Sequence, residues 1–167
     1  MSDMAEIYED MTNPLDSIEE IMAGQDWVFD RPNHDELQVR MSGAHGQYAM
    51  TFIWQEQHSA MQFFCELDLT IPAVRDELLS RTLRQINEKL WLGHFDVPRE
   101  TGIPFFRHTS LFKGMQHSSG ADQVADLIEI ALAECERFYN VFLLLSEAKN
   151  TQDSLMSLAL SETRGEA

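Results

Sequence analysis

Tyr48-Ala49-Met50-Thr51-Phe52-Ile53-Trp54 decides the fold, because an aromatic ring or Met occupies every even position and the odd positions carry other, mostly smaller residues. A period of two is that of a strand, whose successive side chains point to opposite faces. Immediately upstream, Ser42-Gly43-Ala44-His45-Gly46 has the composition of a hairpin loop, and before it Leu37, Val39 and Met41 alternate with Gln38 and Arg40. Downstream, Gln55 to Ser59 reads as a turn, followed by the alternating set Met61, Phe63, Cys65 and Leu67. Farther upstream Trp27-Val28-Phe29 makes a short strand, turned by Arg31-Pro32-Asn33. Four strands with short connections predict an antiparallel meander.

Helical spacing flanks this block. Asn13-Pro14 opens a helix by side-chain capping and by a proline at the first helical position, Leu15, Ile18, Ile21 and Met22 share a face, and Gly24 ends it. Pro72 begins a second helix with the stripe Val74, Leu78, Leu79, Leu83, Ile86 and Leu90, and with Arg75, Arg81, Arg84 and Lys89 outside it. Phe95 and Val97 give a strand, and Ile103 to Phe112 a longer aromatic one. Ser119 with Asp122 caps the longest helix, where Val124, Leu127, Ile128, Ala131, Cys135, Phe138, Phe142 and Leu145 recur at helical spacing. Thr151 and Asp153 start a short last helix using Leu155, Met156, Ala159 and Leu160. The order predicts an α+β fold: an antiparallel sheet of about five to six strands covered by amphipathic helices. Residues 1–12 read as a flexible acidic tail and 13–165 as a single domain.

The 167 residues carry 28 Asp and Glu against 12 Lys and Arg, a net charge of −16. Such a charge repels phosphate backbones and anionic lipid, so no nucleic-acid and no membrane partner is expected. The bases concentrate in Ile71 to Gly120, between acidic flanks, which predicts a surface with two electrostatic halves suited to self-association or to a protein partner. The acidic start lacks the positive n-region of a signal peptide, and the longest purely aliphatic and aromatic run is Val141-Phe142-Leu143-Leu144-Leu145, so a cytoplasmic location with reduced thiols is expected.

Leu83-Arg84-Gln85-Ile86-Asn87-Glu88-Lys89-Leu90-Trp91-Leu92-Gly93-His94-Phe95 resembles the helix-to-strand passage of YbjN-like proteins, described as bacterial sensory-transduction regulators. Phe105-Phe106-Arg107-His108 is similar to that family's next strand, and Ile128-Glu129-Ile130-Ala131-Leu132-Ala133-Glu134-Cys135-Glu136-Arg137-Phe138-Tyr139 to its helix. The resemblance covers roughly Asn13 to Gly165. It implies a fold similar to type III secretion chaperones, a helix-covered antiparallel sheet able to dimerise, and it carries no catalytic motif. Asn140-Val141 departs from the Pro-containing continuation of that helix and lets it run on.

Chemistry-bearing residues give no enzyme motif. The six histidines include no i, i+4 pair and no HExxH, so no metal or other cofactor is expected, and His94 with Asp96 reads as a hydrogen-bonded surface pair. Cys65 and Cys135 sit in apolar stripes, and Glu134 and Glu136 disfavour a thiolate at Cys135. Gly43-Ala44-His45-Gly46 lacks phosphate-loop spacing. Trp54, Trp91 and most Phe read as core. Arg107 and Arg137 lie in aromatic surroundings, where guanidinium either pairs internally, as with Glu134, or recognises an acidic peptide; Arg81 and Arg84 can extend that surface. The expectation is a non-enzymatic, protein-binding regulator or chaperone-like adaptor with an unidentified protein partner. The second is a small-molecule sensor with a pocket between sheet and helices; the third, an enzyme, requires a concave site holding Arg107 with His94 or His108.

Overall fold

Asn13 starts the first element as its side chain allows: Oδ1 accepts the backbone N–H of Leu15 at 3.0 Å, while Nδ2 donates to the carbonyl of His34 at 2.7 Å. The structure, a computed structural model, describes residues 13–114, 117–147 and 160; the tail expected at 1–12 and, apart from Leu160, the short last helix lie outside them. The elements are α1 (Pro14–Gly24), β1 (Phe29–Asn33), β2 (Glu36–Ser42), β3 (Gln47–Gln55), β4 (Ala60–Leu67), α2 (Asp76–Asn87), β5 (His94–Asp96), β6 (Phe105–Leu111) and α3 (His117–Ser146). All six strands pair antiparallel in the order β1-β2-β3-β4-β6-β5.

The first four strands form the expected meander. The last two do not simply extend it: the seven-residue β6 takes the place beside β4, and the three-residue β5 becomes the edge. Burial explains the choice, since β6 brings Phe106 opposite Cys65 in the core and offers a long ladder, whereas β5 contributes Phe95 alone. One face of the sheet presents Leu37, Val39, Tyr48, Met50, Phe52 and Phe63 to α1 and α3, all buried. Rings link the layers: Phe52 to Phe63 at 4.9 Å, Phe95 to Phe106 at 5.6 Å, and Phe95 to Phe142 of α3 at 5.2 Å between centroids. Each fully buried Phe of this chain contributes roughly 1.5–3 kcal/mol.

Several boundaries depart from the sequence reading. β1 runs through Arg31-Pro32-Asn33 instead of turning there; Pro is tolerated because this is an edge strand, and the register shifts between Asp30 and Asn33. Arg31 holds that edge to α1 through Asp16 at 2.8 Å and Glu19 at 2.7 Å. A 3-10 turn over Ala73–Arg75 precedes α2, so Val74 leaves the expected stripe and is 86% exposed; Thr82 is buried instead, its hydroxyl donating to the Leu78 carbonyl. Trp91, expected in the core, is 75% exposed in the connection after α2. α3 begins at His117, with Ser119 inside its range, and the helix passes Asn140 unbroken. Its expected stripe is buried at every position from Val124 to Leu145, and Leu160 also reaches the core.

Candidate functional site

The alternation that buries one side of the sheet leaves the other uncovered among the described residues. Asp30, Gln38, Thr51, Phe64, Arg107 and His94 lie in register across all six strands and form one row of this open face. The neighbouring row is Arg40, Ala49, Glu66, Phe105 and Asp96; Ile53 opposes Gln62 in a third. Ile53, Phe64, Phe105 and Arg107 are each half-buried, and Leu111 is 69% exposed. Phe64 and Phe105 meet edge to face at 5.7 Å, giving the centre of the face an apolar, aromatic surface with charged groups around it.

The four arginines singled out by sequence do not converge. Arg107 alone stands on the open face. Arg81 and Arg84 are exposed on α2, where Arg84 Nε donates to Glu88 at 3.1 Å. Arg137 lies on α3, pairs with Glu134 at 3.4 Å and sits 4.9 Å above the Phe138 ring, the internal arrangement its surroundings suggested. The basic central segment therefore divides between the sheet's open face and the helical layer instead of making one electrostatic half.

Histidines divide the same way. His94 faces outward beside Arg107, while His108 opposes buried Phe63 on the other face and has its pKa lowered by burial and by the nearby His94. Arg107 and His94 are thus adjacent on the open face, and His108 lies apart from them on the other. The expected His94–Asp96 hydrogen bond is replaced by a bond from the Val97 N–H to Asp96 Oδ1.

A second cluster escaped the sequence reading. His45, in the β2–β3 loop, donates through Nδ1 to Glu136 of α3 and stacks on Tyr139, whose hydroxyl donates to Asp68 at 2.8 Å; Asp68 also accepts the Gln47 N–H. Burial alone would raise the Glu136 pKa, but the hydrogen bond from His45 and the proximity of the Tyr48 hydroxyl more than offset this and leave it lowered. Burial and the bond to Asp68 push Tyr139 up to about 12. A Cβ on Gly43 would fall 1.8 Å from Glu136 Oε1, and one on Gly46 would fall 2.4 Å from the Tyr139 ring. Those two glycines, flanking a histidine, were the available signal: they are required by the close approach of α3. The cluster fastens the hairpin to the helix. Nearby Cys65 and Cys135 are buried free thiols 3.7 Å apart, and burial followed by the other thiol and Glu136 pushes the Cys135 pKa well up, which suits an inert core residue.

A cleft of about 160 Å³ lies between the β4–α2 and β5–β6 connections, lined by Ile71, Leu79, Val97 and Gly102 and by the Asp76–Arg99 ion pair at 2.7 Å. Among the described residues no three His, Cys, Asp or Glu side chains group to hold a metal, and no helix is long and apolar enough to cross a membrane.

The family model for YbjN, described as "Putative bacterial sensory transduction regulator", matches residues 14–144. The chain belongs to the YbjN family. The match includes the open sheet face and the hairpin clamp, and stops short of the Gly165 limit expected from the resemblance. The crystal structure of YbjN from E. coli is similar at 12% identity and a TM-score of 0.46, over 73% of this chain and 90% of that one. No curated protein matches the chain.

Proposed function

We propose that this YbjN-family chain is a non-enzymatic, chaperone-like regulator that acts in the cytoplasm through a single domain over residues 13–165 and binds its protein partner on the open sheet face. The observation that supports this is the half-buried apolar centre made by Ile53, Phe64 and Phe105 on a face that no helix covers among the described residues. A surface of this kind has apolar area still to lose to water, which is the main source of association free energy. A second copy would compete for the same face, because both sheet edges are closed: β1 by Pro32 and its register shift, β5 by the Asn87 amide, which bonds the Phe95 N–H at 2.8 Å and carbonyl at 3.0 Å.

The test is quantitative capture from native lysate with the wild-type chain, Phe64→Ser and the α2 control Arg84→Gln. A reproducible partner retained by wild type and Arg84→Gln and lost with Phe64→Ser is expected. Identical recovery by all three, with light scattering showing a monomer at micromolar concentration, overturns the reading.

The cleft beside Asp76 and Arg99 favours one second reading, a small-molecule sensor. Its volume is below the roughly 300–1,000 Å³ of ordinary ligand pockets, which limits it to a small metabolite. Filling it with Leu79→Trp would then abolish a metabolite-induced rise in thermal midpoint; no concentration-dependent rise in wild type overturns it.

A further inference from the structure

We infer that the segment bound on the open sheet face carries a single carboxylate set among bulky apolar residues, with the carboxylate on Arg107 and the apolar side chains on Phe64 and Phe105. This rests on the reading that the face binds protein, and adds the chemistry of what it binds.

The argument begins with an imbalance. The chain has 28 carboxylate side chains and 12 bases, so nearly every arginine could find an acid. Arg31, Arg84, Arg99 and Arg137 each do. Arg107 makes no ion pair or hydrogen bond among the described residues, although it is half-buried between Phe64 and His94 in its row. Water solvates it as long as the face is open. A purely apolar partner closing over Phe64 and Phe105 would strip that water and leave a guanidinium without a counter-charge, which is strongly unfavourable. A carboxylate placed there pairs with the guanidinium, bidentately where geometry allows, and the low dielectric of the covered face strengthens the bond. Exposed His94 stands beside it in the same row.

The next row restricts the ligand further. Glu66 and Asp96 flank Phe105 in register, one step along β6 from Arg107. A run of acids would therefore meet repulsion on either side of the aromatic ring. One acid over Arg107, followed by a bulky apolar residue over Phe105, matches the alternation of the two rows.

Selection of random displayed dodecapeptides on the immobilised full-length chain tests this without knowledge of the natural partner. Enriched peptides are measured by fluorescence anisotropy against wild type, Arg107→Gln, Arg107→Lys, Phe64→Ser and Arg84→Gln, each first shown to keep the wild-type thermal midpoint. The expected result is enrichment of one Asp or Glu flanked by Phe, Leu, Ile or Trp, with affinity reduced about tenfold or more by Arg107→Gln, partly restored by Arg107→Lys, and unchanged by Arg84→Gln. Apolar peptides without an acid, sensitive to Phe64→Ser and indifferent to Arg107→Gln, overturn the carboxylate and leave the face as a binding surface. Peptides indifferent to both substitutions, or no enrichment at all, overturn the face with it. A dimer that Arg107→Gln dissociates assigns the face to a second copy and also overturns the inference.

Discussion

Glu136 is the residue at which burial and hydrogen bonding oppose each other most visibly. Its carboxyl ends with a lowered pKa because His45 and Tyr48 hold the ionised form against desolvation. The native state therefore binds that proton less tightly than the unfolded chain does. The resulting stabilisation is fully present above the ordinary glutamate range and is lost as pH falls through that range to the lower native value. Glu136→Gln should flatten the acid limb of a stability profile measured by urea unfolding at a series of pH values, and an unchanged limb refutes the assignment. In sequence, Glu136 is legible only as a neighbour of Cys135, whose thiol is buried with its pKa raised, as its apolar stripe and flanking acids imply. The clamp was not legible, since it joins residues 91 positions apart and no local pattern encodes that contact.

At the scale of elements, period and capping chemistry carried most of the information. Tyr48 to Trp54 alternates in the structure as its composition demands, and the α3 stripe from Val124 to Leu145 is buried throughout. What periodicity cannot express is where a sheet stops. Trp91 and Val74 have core chemistry but fall in connections that turn them to solvent. The edge at β5 is set by Asn87, the last residue of α2, whose amide copies the donor and acceptor of an absent strand for Phe95. Asn87→Leu removes both bonds and should cost about 2 kcal/mol, at roughly 1 kcal/mol per neutral hydrogen bond. Asn87→Asp keeps an acceptor for the Phe95 N–H but turns its second oxygen on the Phe95 carbonyl, so it should also lose stability. Denaturant midpoints give both values, and midpoints equal to wild type refute the edge-sealing role. Asn87→Leu should also increase concentration-dependent association, because an unpaired strand edge is a template for pairing.

For the whole molecule the net charge of −16 sets a background against which each local pair acts. Its distribution along the chain suggested two electrostatic halves; folding instead sends Arg107 to the open face and Arg81 and Arg84 to α2, so no single basic surface offsets the acidic remainder. The exposed pairs, such as Arg84 with Glu88 and Arg99 with Asp76, each contribute about 0–1 kcal/mol and weaken as salt is added. Repulsion among the excess carboxylates weakens too, and it acts over many more pairs, reaching across much of the molecule at a Debye length of about 30 Å in 0.01 M salt and far less at about 8 Å in 0.15 M. Repulsion should dominate. The thermal midpoint is therefore expected to rise between 0.01 and 0.15 M sodium chloride and then level off. A midpoint that falls over this interval would show that the ion pairs, led by Arg31 with Asp16 and Glu19, outweigh the self-repulsion of the acidic chain.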